Sequence, residues 1–136
     1  MIINEIPLYL INLHNRPERL LNTLNELRKV GLHNSITRIE ACDCIQAQEN
    51  QHLYLSKKSY TNLKNPHSTL ILPNYKAVGC AISHINTWKM ISSYGFRHGI
   101  IIEDDIEITD PILFKIEMNK MKQLLENIEK NDNINK

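Results

Sequence analysis

The sequence predicts an α/β fold, a mostly parallel sheet flanked by helices, and three observations carry that prediction. A β-rich apolar run, "IPLYLINL" (6–13), passes through a short polar loop into a leucine repeat of helical period. That repeat stops at Gly31, and a second short β run, "SITRIEA" (35–41), follows it. Farther on, another helical segment delivers a nearly continuous apolar run in "RHGIIIE" (97–103). Strands joined through helices pair in parallel, with the helices laid on the faces of the sheet.

The elements follow in order. Pro7 suits a strand start. Within 14–31, Leu20, Leu21, Leu24, Leu27 and Val30 recur at helical spacing, and Pro17 fits the first turn. From Cys42 to Tyr75 the signals weaken, and the reading there is a long polar loop with at most a short helix. Val78, Ala81, Ile85, Trp88 and Ile91 mark the next helix, which ends at Gly95, with Trp88 read as a core residue. The apolar run at 100–102 then fits a central strand covered on both faces. Asp110 as N-cap and Pro111 in the first turn open a last helix, and residues 131–136 read as a disordered tail beyond a domain spanning 1–130.

Composition narrows the function classes. At 136 residues the chain suits one domain with a core of its own. A net charge of +1 gives no broad basic surface, so nucleic acid is not an expected partner. No apolar run is long enough for a transmembrane helix, and the start lacks the features of a signal peptide. Cys42, Cys44 and Cys80 match neither a disulfide framework nor a zinc ribbon, and read as reduced structural thiols in a cytoplasmic setting.

The chemistry concentrates in "GIIIEDDIEI" (99–108). Three carboxylates at a strand end repel one another unless water, a partner or a cation shares their charge. In an open parallel sheet the carboxyl ends of the strands form the ligand edge, so the triplet and the loop after Asn12 both belong there. One reading is a solvated, capped turn. A phosphoacceptor pocket like that of a receiver domain is excluded, because such a strand opens its domain and only 31 residues follow Asp105 here. The other reading is a site for a hard divalent cation and a diphosphate, with Glu103 and Asp105 on one side of an extended backbone and Asp104 on the other.

Three blocks in register, "INLHNRPER", "GCAISH" and "IIIEDD", resemble glycosyltransferase family 25, which includes bacterial lipopolysaccharide sugar transferases and collagen galactosyltransferases. The resemblance implies a GT-A-like, Rossmann-like fold. It also implies inverting transfer of galactose or glucose from a UDP-sugar to a glycan or protein hydroxyl, helped by Mn²⁺ or Mg²⁺. It assigns Glu103 and Asp105 to the metal, and Asn12, Leu13, Arg16, Arg19, Ser83, His84 and Asp104 to the donor. Arg16 is expected to pair with phosphate, and Arg19 either to join it or to hold the loop. The resemblance leaves the catalytic base unassigned and implies an incomplete, donor-binding portion of the family domain. A catalytically incompetent sugar-nucleotide-binding module is the alternative, and an exposed sheet edge would favour pairing of two copies.

Overall fold

The computed structural model describes residues 6–65 and 74–134. Three parallel strands, β1 (Leu8–Asn12), β2 (Ile36–Glu40) and β3 (Ile100–Glu103), pair in the order β2-β1-β3. Helix α1 (Pro17–Arg28) links β1 to β2, and α5 (Tyr75–Ser93) precedes β3. Helix α6 (Pro111–Ile134) closes the described chain, so the segment read as a tail is helical as far as residue 134 and otherwise lies outside the described residues. This is the α/β arrangement that the sequence predicts.

Alternation along β1 builds the two sides of the core. Leu8 faces Leu27, Val30, Leu32 and Ile108, with Phe114 of α6 packed against them. Tyr9 and Ile11 face the other way, onto Ile39, Met90 and Ile91, so α5 covers that face. All five residues of β1 are buried, which marks it as the middle strand. β3 is covered on both faces, with Ile100 and Ile102 toward α1 and Ile101 toward α5. It is nevertheless an outer strand and not the central one, and its three isoleucines stay half-exposed because no strand pairs beyond it among the described residues.

The helix ends follow the local signals. Gly31 and Gly95 stop α1 and α5 with φ of 79° and 74°, a backbone region open to glycine at no steric cost. Asp110 Oδ1 accepts from the amides of Ile112 and Leu113 and so caps α6. The stretch read as a polar loop is instead helical in three short pieces, α2 (Cys44–Glu49), α3 (Gln51–Tyr54) and α4 (Lys57–Leu63). They are too short to show a period. Local caps hold them: Asp43 and Gln46 form a reciprocal capping box, and Ser56 accepts from the amide of Ser59. Ala47 of α2 then packs on Val78 and Ile82 of α5. Residues 66–73 of that stretch lie outside the described residues.

The buried face of α5 also differs from the expected one. Val78, Gly79, Ile82, Ser83 and Thr87 are buried, whereas Trp88 is 58% exposed. Small residues let the helix come close. The hydroxyls of Ser83 and Thr87 donate to the carbonyls of Gly79 and Ser83 in the helix itself, so burying them leaves no donor unpaired. Among the described residues no helix is long and apolar enough to cross a membrane.

A Cβ on Gly79 would stand 2.5 Å from the carbonyl oxygen of Cys42 and 3.2 Å from that of Asp43, both backbone atoms. Gly79→Ala is therefore expected to lower stability by about 1–3 kcal/mol in urea unfolding, as overpacking does. A variant more stable than the parent, as an exposed helical glycine would give, contradicts this packing.

Candidate functional site

Parallel register brings three chain segments level at one edge. Asn12 stands opposite Glu40, and Ile11 stands opposite Glu103. The acidic triplet leaves β3 at that point, beside the end of β1.

Extended geometry stops at Glu103, and Asp104 and Asp105 form a turn. Side-chain alternation therefore does not run through the triplet. Asp104 and Asp105 converge on Arg19, whose Nη2 lies 2.9 Å from Asp104 Oδ1 and 3.2 Å from Asp105 Oδ2. Glu103 turns instead to α5, with Oε1 3.0 Å from His84 Nε2 and 3.6 Å from Cys80 Sγ. One arginine and one histidine thus relieve the repulsion within the triplet. The two arginines have separate partners. Arg19 grips the acids, while Arg16 pairs with Glu18 at the exposed start of α1. That pairing raises the guanidinium above its ordinary range and holds the Glu18 carboxyl below its own.

Asn12 is buried and fully engaged. Its Nδ2 donates to Asp104 Oδ2 at 2.7 Å and to the Arg16 carbonyl at 3.0 Å. Its Oδ1 accepts from Arg38 Nε at 3.0 Å, and its own carbonyl accepts from Arg38 Nη2 and from the Ala41 amide. Arg38 in turn pairs with Glu40. Asn12 is thus a positioning residue, and Leu13 beside it reaches the rim of the cavity.

The "GCAISH" segment works on two adjacent faces of α5. Gly79 and Ser83, one turn apart, press on the chain after β2, where Ser83 Oγ accepts from the Cys42 amide at 2.8 Å. Cys80 and His84, also one turn apart, face Glu103. Ser83 is buried and its hydroxyl is committed, whereas His84 is available at the surface of the site. Burial and the nearby Glu103 push the Cys80 thiol above its ordinary value, and burial does the same for Cys42. Cys44 and Cys80 are exposed, so the reading of packed structural thiols suits only Cys42.

Between these groups lies a cavity of about 220 Å³, lined in part by Leu13, Arg19, Lys76, Cys80, Glu103 and Asp105. A larger depression of about 400 Å³ sits at the amino end of the strands, around Pro7, His98 and Glu129. The carboxyl end is where open parallel sheets hold ligands, and the convergent charges are there. Sequence reasoning passed over Arg38, Lys76 and Cys80 as functional candidates. Cys80 alone carried a signal, its four-residue spacing to His84.

For a hard divalent cation the fit is partial and specific. Glu103 and Asp105 each spend one oxygen on a neighbour, and the other takes no hydrogen bond or ion pair among the described residues. Two such oxygens suit Mg²⁺ or Mn²⁺ only when phosphate and water complete the shell. The model of glycosyltransferase family 25 (LPS biosynthesis protein) matches residues 5–136 of the chain. No curated protein and no solved structure matches significantly.

Asn12→Leu keeps the branched outline of the side chain but removes both donors and the acceptor. Its expected cost is about 2–4 kcal/mol in urea unfolding, from the buried partners left unpaired. A loss below about 0.5 kcal/mol would place Asn12 outside the framework of the edge.

Proposed function

The chain belongs to glycosyltransferase family 25, and from that premise we propose that it transfers galactose or glucose from a UDP-sugar to a hydroxyl acceptor. The observation that carries this reading is the cavity at the carboxyl edge, which Glu103 and Asp105 line together with Arg19 and Lys76. A diphosphate needs cationic partners, and carboxylates alone would repel it. Arg19 and Lys76 supply that charge from the protein.

In this reading Glu103 and Asp105 would hold Mn²⁺ or Mg²⁺, which would supply positive charge against the departing diphosphate. Arg19 keeps Asp105 and Asp104 in place, and Asn12 fixes the end of β1 against Asp104. Leu13 lies at the rim, where the nucleoside would lie across the strand ends. Transfer is inverting. The acceptor oxygen forms its bond to the anomeric carbon while the bond from that carbon to the diphosphate oxygen breaks, and the electron pair leaves with UDP. A general base takes the acceptor proton. Asp110 is not that base, since its carboxylate caps α6.

The acceptor class in this reading is a lipopolysaccharide glycan, in line with the family description. A cytoplasmic setting accords with three unpaired thiols.

Release of UDP from UDP-galactose or UDP-glucose should fall about 100-fold or more in Asp105→Asn, a loss of several kcal/mol of charge stabilisation. Asp110→Asn, which still caps a helix, should keep the parent rate. Parent-like turnover in Asp105→Asn would sink this assignment.

A further inference from the structure

Cys80 and His84, at the edge of the cavity, bring a thiol and an imidazole that the sugar-transfer reading leaves unused. Cys80 and His84 lie four residues apart on α5 and so stand one above the other on one face. Both reach the same oxygen at the end of β3, with His84 Nε2 3.0 Å and Cys80 Sγ 3.6 Å from Glu103 Oε1. All three ligand atoms lie within 4.8 Å of one another. Ligands held at roughly 2.0–2.3 Å on a tetrahedron around zinc stand about 3.3–3.7 Å apart. The separations of 3.0 and 3.6 Å from Glu103 stand close to that spacing and the third is at most 4.8 Å, so small side-chain shifts would bring all three atoms onto one ion. Trp88 stands edge-on to His84, with ring centroids 6.3 Å apart, and limits how the imidazole can turn.

We propose that Cys80, His84 and Glu103 form a binding site for a borderline divalent cation of the zinc class, with a fourth coordination position open to the cavity. A thiolate, an imidazole and a single carboxylate oxygen select against Mg²⁺ and Mn²⁺, which favour oxygen ligands. Charge balances as well. Thiolate and carboxylate bring two negative charges to a doubly charged ion, and the imidazole is neutral.

Without the ion, the Cys80 thiol and the His84 Nε2–H both donate toward Glu103 Oε1. On binding, the thiol proton passes to solvent and the imidazole exchanges its Nε2 proton for one on Nδ1 through solvent, leaving Nε2 to ligate. Cys80 and Glu103 also line the cavity, so the open position can take water or an anionic oxygen. The site shares Glu103 with the sugar-transfer reading but uses neither Asp105 nor a nucleotide, and cobalt binding through Cys80 tests it apart from that reading.

Co²⁺ is the probe, because a cobalt–thiolate bond adds charge-transfer absorption that oxygen and nitrogen ligands do not. Titrating the reduced full chain with Co²⁺ should give a single-site charge-transfer band that Zn²⁺ displaces. Cys80→Ser should abolish the band, and His84→Gln should weaken cobalt affinity about tenfold or more. Cys42→Ser and Cys44→Ser should retain it. Far-ultraviolet circular dichroism of each protein separates loss of the site from loss of the fold. No band in a folded parent chain, or a band that survives Cys80→Ser or depends on Cys44, overturns the proposal.

Discussion

The buried amide of Asn12 is the interaction on which the carboxyl edge depends. One side chain ties the end of β1 to the start of α1 through Arg16, to β2 through Arg38, and to the acidic turn through Asp104. The position demands two donors and one acceptor in the space of a small side chain, and asparagine supplies them. An aspartate there would offer no donor and would set a further negative charge against Asp104. In a buried network every partner is paired or costly, so the whole edge is stable as a unit or not at all.

That constraint explains how three consecutive acids are tolerated. The turn after β3 separates them into two environments. Asp104 and Asp105 share the guanidinium of Arg19, and Glu103 leans on the imidazole and thiol of α5. Among the described residues neither arrangement uses all the carboxylate oxygens. The close seat of Gly79 and Ser83 on the chain after β2 is what carries Cys80 and His84 to within reach of Glu103.

Much of this was legible in the sequence because it is local or periodic. The leucine repeat of α1, the glycine stops and the Asp110 cap each act within a few residues. The parallel order alone brought Asn12 and the acidic triplet to one edge. What escaped depends on contacts far apart in the chain or on signals too short to repeat. The Asn12–Asp104 bond spans 92 positions, and the grip of Arg19 on the acids needs the register of β1 on β3. Helices α2 to α4 have no period to read, although Asp43 and Gln46 stood at capping-box spacing. The buried face of α5 was misjudged because glycine, serine and threonine carry it, while the larger Trp88 lies outside.

The central claim is that the nucleotide sugar lies across the carboxyl ends of the strands and not at their amino ends. Amide NMR of the labelled chain, titrated with a UDP-sugar in the presence of Mn²⁺-free Mg²⁺ buffer, tests it most directly. Shifts are expected at Leu13, Cys42, Lys76 and Cys80 and through Glu103 to Asp105, the groups around the smaller cavity. Shifts confined to Arg97, His98 and the Glu126–Glu129 turn of α6, around the larger depression, would contradict it.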